Sequence, residues 1–553
     1  MKRLADQITR FGFANVRIIA GALALIIALD FFSAAQHAAT NNPASFASGE
    51  TGAPGYRAGP GAPDGSRPGG VSGPARAGQI TSSITPSGSP TKGVLGYNPC
   101  SFVAGLGHIP CGVHGNKIDV VYYWKGDRSS ASPYLGSTGQ KGALDESDAF
   151  LRFVSYVNHF NKGGATFMGF PFNLHGYTIV PHIINAGEYP ETWKGAANDI
   201  IALRPFAAES SHGGMSAYIC PDLAKAGIFN PVTYNLWPGL VDQTNGWCLP
   251  QGLSWERQVE LSVKYISEYL DKTPYQSPSG PLKRVYGLLY AEYDPPGSTG
   301  LSGAIPALKA KLAARGIHIA VTYSVPEGLA DSASPSSQAV DAFQGHNPPV
   351  NTIIDPEGGA PITFTHAAAS KAYTPDYYVW PCSGQDAVGQ VRLFDPNQWS
   401  RARGLSCYDN HWNLDLTLDS TARASQWFAQ YRLGAHYDGS DAANSNQDPP
   451  AMGPLVYQGM LPVLVGLTHA TAGLFTEERF FEGLGLFHGY HYDGISGPTK
   501  DLQYFHLLGD QPDGSQIGDV SMVTWSNTAQ TSPGAPAGAY IYSKRRYTPA
   551  DSF

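Results

Sequence analysis

The sequence predicts an α/β fold of two doubly wound parallel-sheet lobes, and three observations point there. The first is the stretch from Arg284 to Val325. It reads as an apolar strand (Val285 to Tyr290), a Pro/Gly-rich turn (Asp294 to Gly303), an amphipathic helix ending at Arg315-Gly316, and a second strand (Ile317 to Val325). Antiparallel partners need only a short turn, whereas parallel partners need a helical crossover, and Gly316 stands where helix C-caps place glycine. The second observation is that the same alternation of strand and helix runs before and after this unit, in two blocks. Two such blocks favour two lobes over a single barrel. The third is length: the chain has 553 residues, and the part with globular character exceeds an ordinary single core.

The elements follow in order. Residues Met1 to Arg17 carry Lys2, Arg3, Arg10 and Arg17, and an apolar run from Ile18 to Leu29 leads to small residues at Ser33 and Ala35. Residues 1–40 therefore read as an export signal or an uncleaved membrane anchor, the only segment for which membrane contact is expected. Residues 41–95 are dominated by Gly, Pro, Ser and Ala, a composition with few large apolar groups to offset the entropy of ordering, and read as a flexible tether.

Within the globular part, Ile118 to Trp124 is strand-like, and a helix is expected in Ala143 to Phe160, where Phe150, Phe153, Val154, Val157 and Phe160 recur at three- and four-residue steps. Strands near Ala165 to Phe172 and Tyr177 to Ile184, a helix around Pro190 to Ile200 and a short strand at Arg204 to Ala208 come next. The motif Glu209-Ser210-Ser211-His212-Gly213-Gly214 precedes a helix Ser216 to Lys225. A longer helix, Trp255 to Leu270, closes the first block, and the Pro- and Ser-containing Asp271 to Pro281 reads as the join. In the second block, helices near Ser336 to Phe343 and Thr365 to Ala372 alternate with strands Thr352 to Ile354 and Tyr377 to Trp380. Ala424 to Tyr490 is mainly helical, and Asp519 to Trp525 is a late strand.

Composition narrows the function. Net charge is −8 from 36 basic and 44 acidic residues, and the one short basic cluster is Lys544-Arg545-Arg546, so nucleic acid is not expected as a partner. Six cysteines suit an oxidising compartment, and their grouping suggests Cys100 with Cys111, Cys220 with Cys248, and Cys382 with Cys407, out of about fifteen formal pairings. None has CxxC spacing, which argues against zinc. His488, His491 and Asp493 form a tight cluster, but Gly489 and Gly494 break the helix that would put both rings on one face. No Gly-x-Ser-x-Gly stands between a strand and a helix, so a nucleophilic serine hydrolase lacks its motif. The carboxylate pairs Glu292 with Asp294 and Asp355 with Glu357 could serve a glycosidase, although such pairs in loops are usually solvated.

Tyr156 to Gly164 ("YVNHFNKGG"), the segment "LKAKLAARGIHIAVTYSVP" within Arg284 to Pro326, and the late "LTHATAGLFTEERFFEGL" occur in an order that resembles the type I periplasmic binding proteins, in particular the substrate-binding components of branched-chain amino acid ABC transporters. The likeness spans about Lys117 to Trp525. It implies two α/β lobes joined by three crossing segments, with a small ligand enclosed when the lobes close. On that pattern, lobe 1 holds 96–272 and 410–490, and lobe 2 holds 281–404 and 491–545. The crossings then fall near Asp271 to Pro281, near Leu405 to Asn410, and after Tyr490. The family's ligand-gripping serine matches Ser210 and Ser211, whose hydroxyls and neighbouring helix N-terminal amides suit a carboxylate. A tyrosine position matches Tyr290 and Tyr293 at the end of lobe 2's first strand, with Asp294 beside them for an ammonium group. Trp124 and Lys125 would form the opposite wall. The resemblance implies no catalysis and no cofactor. It implies an amino acid, amide or similar small polar ligand, an ABC permease or membrane receptor as partner, and a place outside the cytoplasm. A secreted α/β hydrolase and a ligand-free cell-surface protein remain the alternatives.

Overall fold

The computed structural model describes residues 101–553 apart from 104–106, 125–145, 188–189, 211, 233–238, 293–300, 327–328, 359, 387, 392, 408–425, 441–452, 486–489, 493–502, 506–517 and 531–536. The signal or anchor and the tether expected in residues 1–95 lie outside the described residues. Among the described residues no helix is long and apolar enough to cross a membrane.

Two sheets organise the chain. In the first, β1 (Lys117–Trp124) pairs in parallel with β2 (Thr178–Asn185) on one side and β3 (Ala207–Glu209) on the other. Isolated parallel bridges, Ala207 to Phe229 and Ser210 to Val232, bring β4 (Asn230–Val232) beside β3, and β5 (Cys248–Pro250) pairs in parallel with β4. The order is β2-β1-β3-β4-β5. Parallel strands covered on both faces lose the polar alternation of half-exposed strands, and β1 shows it. Its Ile118, Val120, Tyr122 and Trp124 enter one core, while Val121 and Tyr123 enter another. The first core is closed by α1 (Glu146–His159), through Phe150, Phe153, Val154 and Val157, and by later helices described below. The second is closed by α2 (Pro190–Leu203) and α3 (Gly213–Lys225), through Trp193, Ile200, Ile219 and Leu223.

The helix Trp255–Tyr265 (α4), which continues as a π-helical turn over Ile266–Leu270, departs from the sequence expectation. Its Trp255, Val259, Val263 and Ile266 pack with Tyr286, Leu288 and Ile354, so it belongs to the second lobe. The first crossing is therefore the short segment Gln251 to Ser254, and the boundary drawn at 272 is moved back to the end of β5. Residues 275–282, read as a join, form a small hairpin of Tyr275–Ser277 and Gly280–Leu282. Periodicity shows that a helix has an apolar face, but not which of two cores receives it.

The second sheet contains β6 (Tyr286–Glu292), β7 (Ile319–Pro326), β8 (Thr352–Ile354), β9 (Asp376–Val379) and β10 (Ala402–Ser406), followed by β11 (Val520–Ser526) and β12 (Ala539–Tyr547). Its order is β7-β6-β8-β9-β10-β11-β12; the first five strands are parallel and the last two antiparallel. The parallel part repeats the first sheet's topology, second strand outside the first. The β6, helix, β7 unit read from the sequence is present, its helix being α5 (Leu301–Ala313). Beyond it, α6 (Leu329–Gly345) and α7 (Pro361–Ser370) cover one face through Val340, Phe343, Ile362 and Phe364. On the other face lie α4 and α5, with Leu308 and Leu312. The strand Ala539–Tyr547 was not anticipated.

The chain then returns to the first lobe. α8 (Gln426–Tyr437), α9 (Gly453–Ala470) and α10 (Glu477–Gly485) place Trp427, Tyr431, Met460, Leu464 and Phe480 in the core around β1. This second crossing falls between Cys407 and Gln426, and the third between Gly485 and Asp519. The chain ends in lobe 2, where Phe553 packs against Tyr265 and Tyr547.

Two disulfides match the proposed pairs, Cys220 to Cys248 and Cys382 to Cys407. Cys111 is disulfide-bonded, and Cys100 lies outside the described residues. Cys220–Cys248 ties α3 to β5 across 28 residues of sequence. Chain-entropy reasoning puts its contribution at about 3.5 kcal/mol. The double variant Cys220→Ser/Cys248→Ser is expected to lose roughly that much in urea unfolding, and a loss below about 1 kcal/mol would contradict the cross-link's role.

Candidate functional site

In open parallel sheets, ligands gather where the strands end at their carboxyl side. Both sheets of this chain lead into the inter-lobe crossings from that side: β5 ends at Pro250, one residue before the first crossing, and β10 ends at Ser406, just before the second.

On the first lobe, the turn after β3 carries the expected serines. Ser210 is fully buried, and its Oγ accepts a hydrogen bond from His212 N at 3.2 Å. This is a local turn contact of the kind serine makes to the main chain two residues on. His212 is the N-cap of α3 and makes no side-chain cap hydrogen bond. The helix starts three residues earlier than the expected Ser216. Trp124 is 6 % exposed and packs in the core, so its ring does not form the wall expected of it. Glu209, Gln251 and Gln458 surround the start of the first crossing. Gln251 Nε2 lies 3.3 Å from Glu209 Oε1, and Gln458 Nε2 donates to Gln251 O at 2.6 Å, fixing the crossing to α9. Gly459 permits this approach, since a Cβ there would stand 2.2 Å from Gln251 Nε2.

On the second lobe, Tyr290 is half-buried near the end of β6. Burial raises its hydroxyl pKa, the neighbouring Glu292 adds to the rise, and a hydrogen bond with Ser324 opposes it. Lys125, Ser211, Tyr293 and Asp294 lie outside the described residues, as do His488 and Asp493. Among the described residues no group of three or more His, Cys, Asp or Glu side chains could hold a metal ion.

Loop carboxylate pairs are usually solvated, but in the pair Asp355 with Glu357 the aspartate is not. Asp355 is 2 % exposed, and its Oδ1 accepts from the main-chain N–H groups of Glu357 at 2.8 Å and Gly358 at 3.2 Å. The carboxylate shapes the turn after β8. Gly358 has φ +99°, and a Cβ there would meet Ser383 O at 2.1 Å, so the turns after β8 and β9 are pressed together. Gln385 joins them by donating to Asp355 O at 2.8 Å and accepting from Trp380 N at 3.2 Å.

Asp386 is the residue that sequence reading missed. Its carboxylate is buried beside the Cys382–Cys407 disulfide, and Oδ2 accepts from Cys382 N at 3.0 Å, Cys407 N at 3.1 Å and Ser406 Oγ at 3.1 Å. Burial pushes this carboxyl up to about 6, against the downward pull of those three hydrogen bonds. Its folded-state value thus lies above the unfolded one. The stability linked to it is fully present below the ordinary aspartate range and is lost as pH rises through about 6. In sequence, Ser-Gly-Gln-Asp resembles any polar loop, and no local signal marks the burial.

No protein-family model matches the sequence, and no curated protein matches it. Several solved structures are similar to it. The branched-chain amino acid substrate-binding protein LivJ from Streptococcus pneumoniae, in complex with isoleucine, is 13 % identical, with 77 % of this chain and 100 % of that chain covered at a TM-score of 0.47. A solute-binding protein of an ABC transporter from Rhodopseudomonas palustris, in complex with 3,4-dihydroxybenzoic acid, is 12 % identical, covering 79 % of this chain and 99 % of that one at 0.48. A substrate-binding periplasmic protein from Ralstonia solanacearum is 13 % identical, covering 77 % and 100 % at 0.49. The two-lobed, doubly wound α/β fold of this chain rests on its own sheet orders, β2-β1-β3-β4-β5 and β7-β6-β8-β9-β10, and on the crossings between them.

Proposed function

We propose that the chain is an extracytoplasmic solute-binding protein that captures a small polar ligand, an amino acid, amide or similar molecule, between its lobes and presents it to an ABC permease. One observation carries this reading: two sheets of the same parallel order, each leading from its carboxyl side into segments that cross to the other lobe. Such a framework works by conformation. Contacts to both lobes stabilise a closed form, and a ligand shifts that population only by binding it better than the open form. No covalent step is required. The disulfides accord with an oxidising compartment.

The contacts we assign are the amides at the start of α3 with Ser210 and Ser211 for a carboxylate, and Tyr290, Tyr293 and Asp294 from the facing lobe, with Lys125 along the wall. Ser210 Oγ already serves its own turn, which leaves Ser211 and the main-chain amides as the main grip. Isothermal titration of the purified chain against amino acids, hydroxybenzoates, short amides and sugars tests the reading. Saturable heat without turnover is the expected result. Product formation would favour the hydrolase, and silence across the panel the ligand-free surface protein.

A further inference from the structure

Where the first crossing leaves lobe 1, three polar side chains meet away from water. Glu209 ends β3, Gln251 follows β5 and Gln458 lies on α9, and they are 0, 1 and 2 % exposed. Two hydrogen bonds fix how the carboxamides are turned. Gln251 Nε2 donates to Glu209 Oε1 at 3.3 Å, and Gln458 Nε2 donates to the Gln251 main-chain carbonyl at 2.6 Å. Both acceptors are oxygens that need a donor, so turning either carboxamide over would set oxygen against oxygen. The amide oxygens are thereby placed, and Gln251 Oε1 and Gln458 Oε1 are both buried without a hydrogen-bond partner. The backbone of α9 closes on the same point: a Cβ on Gly459 would stand 2.2 Å from Gln251 Nε2 and 2.5 Å from Glu209 Oε1. A buried acceptor without a donor is destabilising, and two of them on side chains linked to one carboxylate call for a positive guest.

We propose that Glu209, Gln251 and Gln458 form a binding site for a compact monovalent cation, supplied either as a free alkali metal ion or as the ammonium group of a solute. A carboxylate and two amide oxygens can replace part of such a cation's hydration shell, as carbonyl oxygens do for potassium in selectivity filters. One carboxylate balances one charge. A divalent ion would leave net positive charge in a buried site, and calcium affinity follows the number of charged ligands, so calcium is not the expected guest. The set holds no thiolate or imidazole of the kind that soft transition metals prefer. A bound cation would join β3, α9 and the first crossing at one point. Glu209 directly precedes Ser210, so an amino acid gripped there by its carboxylate would bring its ammonium group next to these oxygens. That source of the cation rests on the solute-binding reading; the site itself does not.

The test is a salt titration of the full chain without solute, at constant ionic strength in tetramethylammonium chloride, whose cation is too bulky for the site. Potassium, sodium, ammonium, methylammonium and calcium chlorides replace it in turn, and the shift in thermal unfolding is followed against concentration. A saturable rise is expected with at least one of the monovalent cations. Glu209→Gln should weaken that response by at least about 10-fold, the loss typical even of groups that only support an ion's ligands. Gln458→Met keeps the length of the side chain but removes its oxygen, and should weaken the response as well; it decides the matter if Glu209→Gln does not fold. A response to potassium or sodium identifies a free ion. A response confined to ammonium and methylammonium identifies a solute's amino group, and an amine-bearing solute found by calorimetry should then lose affinity in Glu209→Gln while its des-amino analogue does not. No saturable response to any monovalent cation, a response to calcium alone, or variants that titrate as the parent does would overturn the site. If no solute binds, the salt titrations still decide on the site, and only the solute-binding reading fails.

Discussion

Replacement of Asp376 by alanine is expected to cost about 3 to 5 kcal/mol of folding stability. Asp376 sits at the start of β9, with a side chain 4 % exposed, between two guanidinium groups. Its Oδ2 is 3.0 Å from Arg284 Nη1, which is fully buried, and its Oδ1 is 2.9 Å from Arg401 Nη2. Arg284 also donates to Leu270 O, Thr273 O and Thr352 Oγ1, at 2.9, 2.7 and 2.8 Å. These bonds gather the end of α4's π-turn, the segment leading to β6, and the starts of β8 and β9. Removing the carboxylate leaves a buried cation without its counter-charge, and that cost exceeds the net value of the pair itself. Urea unfolding measures it; a loss under about 1 kcal/mol would show that water reaches Arg284 in the folded state. The site lies at the amino-terminal edge of the second sheet, away from the crossings, so ligand affinity should be unchanged.

Trp380→Ala is expected to be nearly as costly, at about 3 to 5 kcal/mol, for a different reason. The indole is fully buried, stacks on Trp255 at 5.9 Å between centroids and meets Tyr378 edge-on at 5.9 Å. Its Nε1 donates to Gln258 Oε1 at 2.9 Å. Truncation opens a cavity and strands the Gln258 oxygen between α4 and the end of β9, next to the first crossing. Unlike Asp376→Ala, this change is expected to weaken ligand binding as well as stability, because α4 carries the crossing into lobe 2. Equal loss of stability with unchanged affinity would separate α4 from the hinge.

Much of the fold was legible because parallel strands and their crossover helices leave local marks. β6, α5 and β7 could be read from an apolar run, a three- and four-residue period and Gly316, whose φ of +80° fits the expected C-cap. The pairings of Cys220 with Cys248 and Cys382 with Cys407 followed from grouping alone. What failed was assignment between lobes. The apolar face of Trp255 to Leu270 suits either core, and only its contacts with Tyr286 and Leu288 decide. Tyr275 to Leu282 carries hinge-like Pro and Ser but is pinned as a hairpin, with Tyr275 OH donating to Thr374 O at 2.6 Å. The candidate site was half legible. Ser210, just after β3, and Tyr290, near the end of β6, could be marked by their places at strand ends, whereas Asp355 and Asp386 owe their burial to turns from neighbouring strands pressing together. No residue near them in sequence encodes that.

Two lobes that move about their crossings to enclose a solute should draw together when the solute binds. Small-angle scattering of the chain, recorded with and without a ligand found by calorimetry, tests it most directly. A smaller radius of gyration is expected on saturation, with the change tracking occupancy. An unchanged profile at full occupancy would contradict it.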